Sequence, residues 1–228
     1  MQTADVENFL AQGMALMGLH LNNRDEVIAR LANYFQELKK WNRRINLVGR
    51  QQEDRMILEN HFLDSLTLLE LVKQESAPNE ALLDVGTGAG FPGLVIKAAC
   101  PWLSTVLLEP RQNRYYFLRH MVRTLQLDGV DLPNVRLAKD DQVQELDNRK
   151  FTIITSRAFT DINEFVALSA DLLGPGGKII CMKGPRGAAD LKVFQQSSLA
   201  KGFTAEVHGI KLPFSKAERL LIILHYSG

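Results

Sequence analysis

The stretch Leu82-Leu83-Asp84-Val85-Gly86-Thr87-Gly88-Ala89-Gly90-Phe91-Pro92-Gly93 decides the fold. An apolar run reaches an acidic residue and then passes three glycines at alternate positions. Glycine lets the backbone turn sharply and approach a ligand closely. Pro92 stands where a helix can begin, because a first-turn N–H has no intrahelical partner to lose. The pattern predicts strand, glycine turn, helix. The dinucleotide fingerprint GxGxxG needs a glycine three places after Gly88. Phe91 stands there instead, so a nicotinamide cofactor is not expected.

Outward from this stretch, short apolar runs alternate with helical periods. Strands are expected over 81–85, 104–109, 134–138, 151–155 and 178–183, and helices over 91–99, 112–127, 161–173 and 188–199. Such alternation predicts a mostly parallel sheet covered on both faces. The last two strands, 203–210 and 219–226, are joined by a loop holding Pro213, which predicts an antiparallel ending. The first 75 or so residues are helical. Val6, Phe9, Leu10, Met14 and Met17 recur at helical spacing, and so do Val27, Ile28, Leu31, Tyr34, Phe35 and Leu38. Asn22 or Asn23 offers an N-cap, with Asp25 and Glu26 in the first turn. A third helix is expected from 53 to 73, with Ile57, Leu58, Phe62, Leu66 and Leu69 inward, and a break at Ser76-Ala77-Pro78-Asn79. The expected division is a helical region, 1–77, packed as one unit on an α/β domain, 78–228.

The chain has 228 residues, 46% of them hydrophobic and 23% charged, which excludes a disordered chain. No apolar run reaches the roughly 18 residues of a membrane helix. The N-terminus lacks the basic start and long apolar core of a signal peptide. Cys100 and Cys181 are far apart with no CxxC spacing, which fits reduced thiols buried as small hydrophobes. A cytoplasmic location is expected.

The spacing acidic-x-Gly-x-Gly-x-Gly resembles motif I of the class I methyltransferases that bind S-adenosylmethionine. A carboxylate such as Asp84 suits the ammonium of that cofactor's methionine tail. Glu109, 25 positions on at the end of the second strand, is placed to accept both ribose hydroxyls. Lys139-Asp140-Asp141 follows the expected third strand, where a carboxylate or backbone group meets the adenine amine; an acidic N-cap cluster is the alternative. The Asn/Asp-Pro-Pro-aromatic motif of amine methylation is absent; Thr155-Ser156-Arg157-Ala158-Phe159 holds its place. No nucleophilic cysteine, nucleophile elbow or metal set is visible, the five histidines being scattered. Arg157 and Lys183 put two cations at the carboxyl edge of the sheet, facing an anionic or carbonyl-rich substrate unless they are ordinary surface charges.

Together these residues resemble the ribosomal RNA small subunit methyltransferase G family, also called glucose-inhibited division protein B. The match runs through Trp41-Asn42, Asn46-Leu47, His61-Phe62-Leu63-Asp64-Ser65-Leu66, Asp84–Gly93, Phe117-Leu118, Ser156-Arg157-Ala158, Lys183-Gly184 and Arg219-Leu220. The resemblance implies a cytoplasmic enzyme that moves a methyl group from S-adenosylmethionine to N7 of a guanosine in 16S ribosomal RNA, on naked RNA or a small-subunit assembly intermediate. A class I fold, a monomer, and neither membrane nor metal as partner are expected. The implied cofactor contacts are Gly86, Phe91, Asp140, Asp141 and Arg157, which join Asp84, Gly88, Gly90 and Glu109 from the motif. The implied substrate-side residues are Lys183, Arg219, His61, Asp64 and Ser65. This chain departs from the pattern at Asn113, where many members have Lys, and at Lys139-Asp140-Asp141, where the usual turn is Arg-Ala/Val-Glu.

The formal charge of +1 is awkward for an RNA enzyme, but it averages over the chain. Lys39, Lys40, Arg43, Arg44 and Arg50 face only Glu37 between 37 and 50, and Arg111, Arg114, Arg119 and Arg123 have no acid among them. Such patches bind phosphate, or else are solvated helix faces. Two rival functions stay open at this point: methylation of a small molecule or protein, and non-catalytic RNA binding.

Overall fold

The computed structural model describes residues 1–74, 81–138, 146, 149–157 and 161–226. The N-terminal helices α1 (Thr3–Leu16) and α2 (Arg24–Asn42) bury the stripes that their periodicity predicts. On α2 the inward set runs Val27, Ile28, Leu31, Ala32, Tyr34, Phe35, Leu38. Asn23 is its N-cap position, but its side chain makes no capping bond. The expected third helix is not continuous. It is divided into α3 (Asp54–Ile57), a π-helical turn (Leu58–Leu63), α4 (Asp64–Leu66) and α5 (Leu69–Gln74). The hydroxyl of Ser65 donates to the carbonyl of His61 at 2.5 Å and that of Thr67 to the carbonyl of Asp64 at 2.6 Å. Side-chain competition of this kind disturbs a regular helix ladder. Ile57, Leu58, Phe62, Leu66 and Leu69 are buried nonetheless.

The sheet is built from β1 (Ala81–Val85), β2 (Ser104–Leu108), β3 (Val130–Asp131), β4 (Phe151–Ser156), β5 (Leu173–Lys183), β6 (Phe203–Lys211) and β7 (Glu218–Tyr226). Their order is β3-β2-β1-β4-β5-β7-β6. β1 pairs in parallel with β2 (Leu83↔Val106) and with β4 (Leu83↔Ile154), whereas β7 runs antiparallel to both β5 and β6. The order reverses at β1, so a crevice opens outside the carboxyl ends of β1, β2 and β4.

One expected strand is absent. Residues 134–138 are not a strand; the edge strand is the two-residue β3. Pro133 offers no N–H to a ladder, and Asn134 turns its amide to the Glu109 carbonyl at 2.6 Å.

Side chains alternate across the sheet. Leu82, Leu107, Ile153, Ile180 and Ile223 join the N-terminal helices, α6 (Gly93–Ala99) and α7 (Gln112–Thr124) in one cluster. Leu83, Val106, Ile154, Ile179 and Leu224 join α8 (Ile162–Ser169) and α9 (Gly187–Gln195) in the other. Asp161 caps α8, accepting from Asn163 N–H at 2.7 Å. No described helix is long and apolar enough to cross a membrane.

Tyr34 ties the helical region to the glycine turn. Its hydroxyl donates to the Ala89 carbonyl, and its ring stacks on Phe91 at 5.8 Å. Gly90 has φ +92°, and a Cβ there would lie 2.2 Å from the Tyr34 oxygen. Both facts require glycine.

Candidate active site

Asp84 ends β1 beneath the glycine turn and is 1% exposed. Its Oδ2 accepts the Gly93 N–H at 2.7 Å, which fixes the start of α6 to the strand. Its Oδ1 is buried without a hydrogen-bond partner among the described residues. Burial pushes this carboxyl up to about 6.

Above the turn lies a cavity of about 620 Å³, lined by Gly86, Glu109, Arg111, Arg114, Glu164 and an apolar set that includes Val85, Leu108, Pro110, Val135, Leu137 and Leu168. Gly86 has φ +71°, and a Cβ there would meet nothing within 4 Å, so the turn itself leaves room for a ligand. Glu109 is nearly buried; Oε1 accepts the Arg111 N–H at 2.8 Å, and Oε2 stands 3.9 Å from Arg114 Nη1. That second oxygen is placed to accept hydroxyls. An apolar slot, an oriented carboxylate and an open glycine turn are a donor set that fits S-adenosylmethionine.

Of the expected cofactor residues, Gly86 and Glu109 line this cavity. Gly88 and Gly90 shape the turn, and Asp84 lies beneath it. Asp140 and Asp141 lie outside the described residues, as do Lys139 and Ala158. Phe91 is 3% exposed and packs inward against Tyr34, Phe62 and His61. Asn113 is exposed on α7 and does not line the cavity. Arg111, Arg114, Val135, Leu137 and Glu164 were not singled out as cofactor residues from the sequence, where Arg111 and Arg114 stood only in a basic stretch and Val135 and Leu137 only in an expected strand.

Arg157 leaves the end of β4 toward the helical region. Its Nη1 donates to the Asn60 carbonyl at 3.0 Å and its Nη2 to His61 Nδ1 at 2.8 Å. Its guanidinium lies 5.2 Å over the Phe91 ring. Asp64 pairs with Arg157 at 3.6 Å and with Arg219 Nε at 3.1 Å. Arg219 Nη2 also reaches Asn60 Oδ1 at 3.2 Å. Four residues scattered through the sequence, His61, Asp64, Arg157 and Arg219, thus form one network. Asn60, not singled out from the sequence, joins it because the π turn brings it there. Burial, reinforced by Arg157 and Arg219, lowers the His61 ring to about 3, so it is neutral. Burial likewise lowers Arg157 from its usual value. Ser65 is fully buried and serves the π turn through its bond to His61. Lys183 pairs with Asp190 of α9 at 3.1 Å.

The two basic stretches meet. Trp41 of α2 packs on Phe117 and His120 of α7 at 5.7 and 5.2 Å, and His120 bonds Glu37 at 2.6 Å. Arg114 Nη2 reaches the Asn46 carbonyl at 3.5 Å. Arg43, Arg44, Arg50, Arg111, Arg119 and Arg123 are exposed. Lys39 is tied to Asp54 and Lys40 to Glu37.

Comparison with known proteins agrees with this architecture. The fold matches an O-methyltransferase from Bacillus cereus, described in complex with SAH (TM-score 0.59, 15% identity, 84% of this chain and 90% of that one). It also matches an rRNA methylase from Streptococcus thermophilus (TM-score 0.53, 11% identity, 70% and 95%). At the sequence level the chain is 42% identical to the ribosomal RNA small subunit methyltransferase G of Desulfotalea psychrophila, over 96% of this chain and 98% of that protein. The namesake from Syntrophotalea carbinolica is 34% identical over 96% and 97%. The family model described as rRNA small subunit methyltransferase G matches residues 27–218. With that span, the glycine turn and Glu109 included, the chain belongs to the rRNA small subunit methyltransferase G family.

Proposed function

We propose that this enzyme transfers a methyl group from S-adenosylmethionine to N7 of a guanosine in 16S ribosomal RNA. It acts as a cytoplasmic monomer, on RNA or a small-subunit assembly intermediate, with the helical region 1–77 and the domain 78–228 working as one unit. One observation carries the reading: the cavity of Glu109 and the glycine turn shares Arg114 with the basic face of α2 and α7.

S-adenosylmethionine supplies an electrophilic methyl on its sulfonium. Glu109 would hold the ribose and Val135 and Leu137 the adenine, with Asp140 and Asp141 as further contacts that the family resemblance implies. The buried Asp84 carboxylate favours the ammonium of the tail. Guanine N7 carries an in-plane lone pair and no proton, so no general base is needed. What the chain contributes is alignment, worth up to several kcal/mol. Arg157 and Arg219 reach this chemistry by holding the π turn through Asp64, Asn60 and His61. The neutral His61 does not oppose the positive charge that grows on the purine. Lys183 takes a place on the RNA side.

The test is mass spectrometry of 16S ribosomal RNA from cells with and without the gene, with purified enzyme added back to the hypomethylated subunit. Loss and restoration of one 7-methylguanosine is the expected result. Methylation of small acceptors only, or no binding of S-adenosylmethionine in a calorimeter, overturns the reading.

A further inference from the structure

A second cavity, open and of about 740 Å³, is lined by Asn46, Gly49, Arg50, Gln51, Gln52 and Met56. None of these residues belongs to the cofactor cavity, yet the two cavities are neighbours: Arg114 lines the first and bonds the Asn46 carbonyl at the edge of the second. The loop that builds it is held in shape. Asn42 Oδ1 accepts both Leu47 N–H, at 2.8 Å, and Val48 N–H, at 3.0 Å, while Leu47 and Val48 are buried. Gln52 N–H closes a turn onto the Gly49 carbonyl at 3.1 Å. The loop backbone is thus fixed, and it presents polar side chains to the cavity.

Donor logic fixes one of those side chains. A guanidinium only donates, so Arg157 fixes His61 Nδ1 as an acceptor, and the ring proton sits on Nε2. That N–H points to Gln52 Oε1 at 3.4 Å. The Gln52 carbonyl is thereby turned to His61, and its NH2 is left to donate. Gln51 is exposed and can turn either end of its amide. The Met56 side chain, on a residue 47% exposed, offers a polarizable surface for a ring, and Arg50 offers a phosphate contact.

We propose that this second cavity is the subsite that selects guanine, with Gln52 donating to O6 and Gln51 reading the N1–H and 2-amino donors. Met56 packs on the base, and Arg50 holds an adjacent phosphate. The inference rests on the N7 reading above. If N7 faces the methyl donor, the Hoogsteen edge is engaged and identity must be read from O6 and the Watson–Crick edge. Adenine there presents a donor where Gln52 donates, and it has no 2-amino group.

Two measurements test this. The first follows the Met56 methyl and the Gln52 side-chain amide by NMR, with S-adenosylhomocysteine bound, as guanosine 5′-monophosphate or adenosine 5′-monophosphate is added. Shifts with the guanine nucleotide and none with the adenine nucleotide are expected. Equal shifts with both, or none with either, overturn the proposal. The second compares Gln52→Leu, Gln51→Ala and Met56→Ala on hypomethylated small subunits. Each should raise KM for the subunit by up to about tenfold, the loss of one hydrogen bond or packing contact, with unchanged affinity for S-adenosylmethionine. Unchanged KM in all three, with wild type active, overturns the subsite alone. Wild type inactive on every ribosomal RNA, or methylating another atom, overturns the N7 reading and the subsite with it.

Discussion

At the residue scale, Asp84 and Gly90 show what the glycine turn costs the fold. Asp84 has a folded pKa of about 6 against an ordinary 3.8. Between those values the folded protein keeps a proton that the unfolded chain has lost. Its favourable contribution is therefore full below pH 3.8 and disappears as pH rises through about 6. Asp84→Asn removes this dependence while its amide oxygen can still accept the Gly93 N–H. Relative to wild type, the variant should gain on the order of 3 kcal/mol between pH 3.5 and 8, the size of a two-unit shift. Urea denaturation across that range checks it. Calorimetry at pH 8 should show weaker S-adenosylmethionine binding in the same variant. Gly90→Ala is expected to lose about 1–3 kcal/mol from its positive φ alone, and more from the clash with the Tyr34 oxygen; thermal denaturation reads this directly. The need for glycine was legible at these positions. The inward turn of Phe91 was not, because the spacing Gly-x-Gly-Phe says nothing about Tyr34, 57 positions earlier.

At the element scale, most strands and helices were legible because their periods are clean. Two failures have local causes. Residues 134–138 carry an apolar alternation, but Pro133 and the Asn134 side chain withdraw them from the ladder and put Val135 and Leu137 in the cofactor cavity. The apolar stripe from 53 to 73 has helical spacing throughout, and only the hydroxyls of Ser65 and Thr67 hint at the π turn. That turn lets Asn60, His61 and Asp64 meet Arg157 and Arg219. No short-range pattern announces contacts 96 or 155 positions apart. Ser65→Ala should therefore act on the turn. We expect a loss of about 0.5–1.5 kcal/mol in stability, a several-fold lower turnover of ribosomal RNA, and unchanged S-adenosylmethionine affinity. Intact turnover with the same loss of stability would assign Ser65 to packing alone. Because the His61 ring sits near 3, the rate profile should show no inflection from it between pH 5 and 8.

At the scale of the whole molecule, a net charge of +1 conceals a separation of sign. The sequence places two basic stretches, but whether they share a face depends on how α2 packs on α7. Trp41 against Phe117 and His120, and Arg114 against Asn46, bring them side by side. The separation is less complete than counting suggests, because Lys39 and Lys40 are paired within the protein. On the proposed function the exposed arginines contact phosphate, and each contact to single-stranded RNA steepens the salt dependence of log affinity by about 0.7. Arg43→Gln and Arg119→Gln, one from each stretch, should each lower that slope by roughly this amount. Together they should lower it by about twice as much, since one site follows the end of α2 and the other lies on α7. S-adenosylmethionine affinity should be the same in all three variants, because neither residue lines the cofactor cavity. The measurement is a fluorescence anisotropy titration of a 16S fragment at several salt concentrations. If only one variant lowers the slope, RNA runs along one helix alone, and the union of the two stretches is a property of folding rather than of binding.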